Sequence, residues 1–205
     1  MIMAHQFFRF AALVIILCAG GIIVLGQGEK TTQPMTTQNP SANQQPTPSP
    51  APASPAANPG DVSSIDAIVA AVYDVISGPA GKKRDWDRFR SLFVPGARLI
   101  PTGPRQAGGY GSRVLAPEDY VARGNEIFEK EGFFEKETVR RTETFGNIAH
   151  IFSTYEARHN TDDPKPFVRG INSIQLMNDG KRWWIVTIFW QAEDAKNPLP
   201  EKYLK

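Results

Sequence analysis

The segment Arg182–Ala192 (RWWIVTIFWQA) constrains the fold of this chain more than any other, because it is almost entirely apolar. From Trp183 to Trp190 it consists mainly of β-branched and aromatic residues, which favour a pleated strand. Successive side chains of a strand point to opposite faces, so both faces of this strand carry large apolar groups. A strand with one wet face would instead alternate apolar and polar residues. The segment therefore predicts a strand that is covered on both faces.

The turn before this strand predicts its partner. Asp179 and Gly180 form a pair that favours a two-residue type I′ hairpin turn. The segment Val168–Met177 is then expected to pair antiparallel with the last strand, with Asn172 opposite Thr187. These two residues are the polar groups that we expect on the inward face of the hairpin.

Residues 1–26 are predicted to be a signal peptide or an N-terminal membrane anchor. Residues 10–25 are uncharged and mostly apolar, which is short for a membrane-spanning helix of about 20 residues. Val24-Leu25-Gly26 resembles a small-residue cleavage site. We therefore expect export to the periplasm or the extracellular space, or alternatively anchoring to the membrane by residues 10–25.

Residues 27–60 are predicted to be a disordered linker, and residues 61–205 the folded domain. Pro, Thr, Gln, Ala, Asn and Ser dominate the linker, and no charge lies between Lys30 and Asp61. Such a segment has too little apolar surface to offset its ordering entropy. The charges of the chain, 23 basic and 21 acidic residues, give no reason to expect a nucleic-acid partner. Cys18 is the only cysteine, so the domain has no thiol nucleophile and no Cys-based zinc site.

Within the domain the periodicity of apolar residues predicts three helices followed by strands. The helices are expected from a cap at Ser63 or Ser64 to Ile76, over Asp85–Phe93 and over Pro117–Lys130. The strands and the irregular loop are expected at 97–100 (strand), 101–112 (loop), 133–145, 148–159, 167–177 and 183–190 (strands). Gly146-Asn147 suits a two-residue turn, which places His150 opposite Glu143 and Glu156 opposite Glu137.

This order of elements resembles the NTF2-like superfamily, which includes ketosteroid isomerases, scytalone dehydratase, SnoaL-like polyketide cyclases and non-catalytic binding subunits. The resemblance rests on PEDY at the start of the third helix, on FGNIAHIFSTYEAR and on DGKRWWIVTIFW. It implies an α+β cone, in which a curved antiparallel sheet wraps around the N-terminal helices and encloses a pocket. Because this fold carries many activities, the resemblance leaves the function open.

Two sets of side chains are candidates for the chemistry. His150 and Glu143 could form an acid/base pair, although an outer sheet face with exposed ion pairs is the alternative. Candidate ligand-binding residues are Trp86, Tyr155, Asn172 and Thr187. No metal site and no cofactor are predicted.

We therefore expect an exported domain that binds a small, largely apolar ligand. The first alternative is an isomerase, dehydratase or cyclase that uses the His150–Glu143 pair, and the second is a non-catalytic protein-interaction domain. A homodimer is expected through the outer sheet face, where the predicted register places Trp184, Val186, Ile188 and Trp190. Membrane contact is expected only through the N-terminal segment, if it is not cleaved.

Overall fold

The computed structural model describes residues 54–128 and 130–205. The predicted signal peptide or anchor and residues 27–53 of the predicted linker lie outside the described residues. Within the described part, no helix has the length and apolarity needed to cross a bilayer. Contacts with the domain begin before Asp61, since the Ser54 hydroxyl donates to the Phe93 carbonyl (3.1 Å) and Ala57 packs against the core.

The described residues form four helices and six strands. The helices are α1 (Pro59–Val62), α2 (Ile65–Ile76), α3 (Trp86–Ser91) and α4 (Pro117–Phe128), and a 3₁₀ turn follows at Glu201–Tyr203. The strands are β1 (Phe93–Pro104), β2 (Tyr110–Ser112), β3 (Phe134–Phe145), β4 (Ile148–Arg158), β5 (Val168–Asn178) and β6 (Trp183–Ala192).

The six strands form one curved sheet in the order β2-β1-β6-β5-β4-β3. The helices pack on its inner face, where α2 and the sheet share a core that includes Ile68, Val72, Ile151 and Ile185. The predicted NTF2-like α+β cone is thereby confirmed. The sheet is mixed, however, because β1 pairs parallel with β6 while the other neighbours are antiparallel.

Helix α2 follows the prediction. Ser64 caps it by accepting from the amide of Ala67 (3.0 Å), and its buried positions recur at helical spacing. Strand β1 is longer than expected, since residues 101–112 contain its last four residues and the hairpin to β2 instead of an irregular loop. Pro101 has no amide hydrogen, but its carbonyl accepts from the amide of Arg113 (3.2 Å), which keeps it in the sheet.

A β-bulge in β3 changes which side chains point inward. The predicted pairs from Phe145–Ile148 to Val139–Thr154 are confirmed. A register shift between Glu137 and Val139 then places Glu137 opposite Tyr155 instead of Glu156. The extra residue turns Glu137 to the inner face.

A second register shift, between β5 and β6, makes the predicted hairpin register wrong. Asn172 lies opposite Trp190, and Thr187 lies opposite Gln175 on the outer face. The expected outer row Trp184, Val186, Ile188 and Trp190 is therefore broken, because Ile188 and Trp190 point inward. The turn adds a separate offset of two residues, which changes no face: the Asp179 carboxylate accepts from the amides of Lys181 (2.8 Å) and Arg182 (2.9 Å) and builds a loop longer than two residues.

Candidate functional site

A cluster of acid, amide and phenol groups lies on the inner face of the sheet beneath α2 and α4. Its members are Tyr73 of α2, Tyr120 of α4, Glu135 of β3, Tyr155 of β4 and Asn172 of β5.

Glu135 is the ionisable group at the centre of this cluster. Its Oε1 accepts a hydrogen bond from Asn172 Nδ2 (3.1 Å), and no ion pair reaches it from the described residues. Burial raises the pKa of Glu135 to about 7, and the bond from Asn172 opposes this shift. Near neutral pH the carboxyl is therefore present in both protonation states, so it can either give or take a proton.

A chain of hydrogen bonds fixes the groups beside Glu135. Asn172 Nδ2 donates also to the Tyr73 hydroxyl (3.0 Å), which lies 2.7 Å from Ser153 Oγ. Ser153 donates to Glu137, and Arg140 Nε donates to the other oxygen of Glu137 (2.7 Å). A hydroxyl has one proton, and Ser153 donates its proton to Glu137, so Ser153 must accept the hydrogen bond from the Tyr73 hydroxyl. Tyr73 therefore positions Asn172 and has no proton left for a ligand.

Tyr120 and Tyr155 carry the hydroxyls that are free for a ligand, because neither has a hydrogen-bond partner among the described residues. Among the described residues, Thr102 Oγ1 is the only side-chain polar atom that is both closed off from solvent and without a hydrogen-bond partner. The two phenol oxygens also have no partner in the protein, so they must be in contact with solvent. Burial first, and the nearby Glu135 second, raise the pKa of both. Both are protonated at neutral pH and can donate.

Gly170 makes room for the Tyr155 phenol. The two residues lie opposite each other on neighbouring strands, and a Cβ at position 170 would lie 2.7 Å from the Tyr155 hydroxyl oxygen. The same Cβ would lie even closer to the Gln191 carbonyl oxygen, so a larger residue would disturb the β5–β6 pairing as well as the phenol.

Aromatic side chains form the apolar side of the site. Tyr120 contacts Trp190 and Trp86 edge-on, with ring centroids 6.5 Å apart in both pairs, and stacks on Phe89 at 5.3 Å. Trp86 stacks on Phe128 at 6.0 Å. Trp86, Tyr120, Glu135 and Trp190 are each half-buried, so part of each side chain stays accessible to solvent.

The structure separates the predicted site residues into two groups. Tyr155 and Asn172 lie in the cluster, and Trp86 borders it. His150 and Glu143 lie opposite each other on the outer face, where His150 Nε2 is 2.9 Å from Ser173 Oγ and no hydrogen bond joins it to Glu143 among the described residues. They are therefore on the opposite side of the sheet from the cluster.

Sequence reasoning missed Tyr73, Tyr120 and Glu135. Both tyrosines occupy apolar positions of amphipathic helices, where a core role is the usual one. Counting outward from the Gly146 turn places Glu135 on the wet face, and only the bulge reverses this. The small Gly170 opposite a tyrosine was the available signal.

The described residues contain no group of three or more His, Cys, Asp or Glu side chains that could hold a metal ion. What the cluster offers is one carboxyl near its ionisation midpoint, two phenol donors and an aromatic wall.

Comparison with known proteins gives similarities of fold. No family model matches the chain, and no curated protein matches it. Among solved structures, it is similar to a protein of unknown function with a cystatin-like fold from Nostoc punctiforme (10% identity, 64% of this chain and 90% of that one, TM-score 0.49). It is also similar to an NTF2-like protein of unknown function from Pseudomonas putida (10% identity, 67% and 92%, TM-score 0.49). A third is a candidate ketosteroid isomerase from Parabacteroides distasonis (10% identity, 64% and 89%, TM-score 0.43).

Proposed function

We propose that the domain binds a small, largely apolar molecule that carries one carbonyl or hydroxyl oxygen, on the inner face of the sheet. The observation that supports this is the pair of phenols without a protein partner, Tyr120 and Tyr155, beside the half-buried Glu135 carboxyl. Each phenol can donate one hydrogen bond that no described residue accepts, and such a bond contributes about 0.5–1.5 kcal/mol net, so a ligand oxygen that accepts from the phenols is favoured. The apolar part of the ligand would cover Trp86 and Trp190.

A ligand screen with phenol variants tests this proposal. Thermal-shift and calorimetric titrations would use small aromatic and alicyclic ketones and alcohols. Tyr120→Phe and Tyr155→Phe each remove one donor, and we expect each to weaken the best ligand about 10-fold, the equivalent of one modest hydrogen bond. His150→Ala, on the outer face, is the control and should leave the affinity unchanged.

Two results would overturn the binding proposal. One is a screen in which no compound of these classes raises the melting temperature. The other is a ligand whose affinity is unaffected by both phenol variants, since it would then bind elsewhere on the domain.

A second candidate function, proton transfer on such a ligand, is favoured by the pKa of Glu135. A general base works best when its pKa lies near the working pH, and that of Glu135 is raised to about 7. Glu135 would take a proton from a carbon or oxygen of the ligand, while the phenols hold the oxygen on which negative charge develops. This replaces the His150–Glu143 pair as the candidate acid/base group, because that pair faces away from the site.

The test of catalysis is Glu135→Gln against Glu143→Gln. With a ligand from the screen that undergoes isomerisation or dehydration, Glu135→Gln should lower turnover by about 10²–10⁴-fold. Ligand affinity should change little, because the amide keeps the bond from Asn172. Glu143→Gln removes an exposed carboxylate of the same strand and should leave turnover unchanged. Equal turnover in both variants would exclude Glu135 as the base.

Export remains part of this proposal, motivated by the apolar residues 10–25. N-terminal sequencing of the native protein should find a chain that begins near residue 27, or a chain in the membrane fraction that retains residues 10–25. A chain that begins at Met1 in a soluble cytoplasmic fraction would contradict it.

A further inference from the structure

One end of the outer sheet face carries a row of apolar side chains. Phe145, Ile148, Met177 and Trp184 are register partners on the neighbouring strands β3, β4, β5 and β6, so they lie side by side on one face. Phe145 is 83% exposed and Ile148 is 58% exposed, while Met177 and Trp184 are half-buried. We call these four residues the apolar row. Two adjacent, large apolar side chains with this exposure at a hairpin tip point to a partner surface.

The described chain begins at the same end of the sheet. Ser54 donates to the carbonyl of Phe93, and Phe93 lies opposite Ile185, the residue after Trp184. In the sheet, β1 and β3 are separated by four interstrand spacings, roughly 20 Å. The first described residue, Ser54, therefore lies at the end of the sheet that carries the apolar row.

Trp184 lies among charged side chains at this end of the outer face. Its indole Nε1 donates to Asp179 (2.8 Å), and the Arg182 guanidinium lies 3.5 Å from its ring centroid. Lys181 beside them is exposed. Tryptophan with neighbouring Lys and Arg is typical of the headgroup region, where the ring is half apolar and half wet. Because Asp179 and Glu143 also lie at this end, attraction to anionic lipids adds little, and the apolar side chains dominate.

We propose that the apolar row docks on a lipid bilayer. The stretch of chain before Ser54 supports this occupant, because it holds the uncharged apolar residues 10–25, followed by a segment with no charge after Lys30. A chain held in a bilayer by residues 10–25 keeps the row close to lipid. Because residues 10–25 already hold the chain at the bilayer, the contact between the apolar row and lipid is intramolecular. Insertion of Phe145 and Ile148 keeps the row docked even though this contact is weak on its own.

Tryptophan quenching by brominated lipid tests the docking. The full chain would be reconstituted into vesicles of phosphatidylcholine and phosphatidylglycerol, with brominated or ordinary acyl chains. All four tryptophans lie in the described domain, and bromine quenches only those that reach the acyl region. We expect quenching in the native chain and loss of most of it in Trp184→Phe. Loss of most of it is also expected in Phe145→Ser combined with Ile148→Ser.

The matched control is Phe189→Ser, which removes a 45% exposed phenylalanine from the middle of the same outer face. It should leave the quenching unchanged, and the serine variants should keep the native melting temperature because Phe145, Ile148 and Phe189 are exposed.

Two outcomes would overturn the proposal. The first is a native chain without quenching, or with quenching that the Phe145 and Ile148 changes leave intact. The second is a dimer, seen by light scattering, that Phe145→Ser disrupts and that shows no quenching, because the row would then be covered by a second copy.

Discussion

Glu135→Gln should remove a pH-dependent loss of stability that is specific to the candidate site. Burial raises the pKa of this carboxyl from 4.5 to about 7. Below pH 4.5 the carboxyl is protonated in the folded and in the unfolded chain, so the stabilising contribution of the neutral group is fully present. As the pH rises from 4.5 to about 7, the unfolded chain releases the proton while the folded chain keeps it. The free energy of unfolding therefore falls over this interval.

The magnitude follows from the shift. Each pKa unit corresponds to 1.36 kcal/mol, so the shift to about 7 amounts to a loss of about 3 kcal/mol between pH 4.5 and pH 8. Glutamine has nearly the same shape, keeps the acceptor for Asn172 and does not titrate. The variant should match the native domain near pH 4.5 and exceed its stability by about 3 kcal/mol at pH 8.

Urea unfolding of residues 54–205, followed by tryptophan fluorescence between pH 4.5 and pH 8, measures this difference. Other acids contribute equally to both proteins and cancel. Glu143→Gln, an exposed position of the same strand, should run parallel to the native domain at every pH. If the free energy of unfolding of Glu135→Gln also follows that of the native domain at every pH, the carboxyl titrates normally, and the reasoning about its burial is refuted.

Three further predictions concern packing. Gly170→Ala should lower the free energy of unfolding by about 2 kcal/mol and weaken ligand binding, because the new methyl group meets the Gln191 carbonyl oxygen of β6 as well as the Tyr155 hydroxyl; unchanged stability in urea would contradict these close approaches. Arg84→Met should cost about 3 kcal/mol, because the buried guanidinium donates to four backbone carbonyls. The exposed Lys83→Met is its control, and equal melting temperatures for the two variants would refute this role. Trp183→Ala should cost about 3 kcal/mol, since the indole packs against the core, and a melting temperature within a degree or so of native would show otherwise.

The helices and long strands could be predicted because their signals are local. Ser64 and the apolar spacing up to Ile76 define α2, and Gly146-Asn147 defines the β3–β4 turn with the register next to it. These elements depend on contacts within a few residues, which the sequence shows directly.

The site could not be predicted because it depends on two bulges. Strand alternation assigns faces correctly only while the register is unbroken, and one extra residue reverses every face beyond it. The shift beside Glu137 turned Glu135 inward, and the shift in β6 turned Trp190 inward and Thr187 outward. Neither position carries a glycine or proline that would mark the irregularity. Tyr155 and Asn172 keep the faces that alternation gives along β4 and β5, because the extra residues lie on the neighbouring strands β3 and β6.

The parallel pair of β1 and β6 has a consequence for how the domain folds. β6 is the last strand in the sequence, yet it lies between β1 and β5 in the sheet. Joining Phe93 to Ile185 closes a loop of roughly ninety residues, at an entropic cost of about 4 kcal/mol that local contacts do not recover. A growing chain that ends before Trp183 has a gap in its sheet and two open strand edges, so the domain completes its fold only after the residues of β6 have been synthesised.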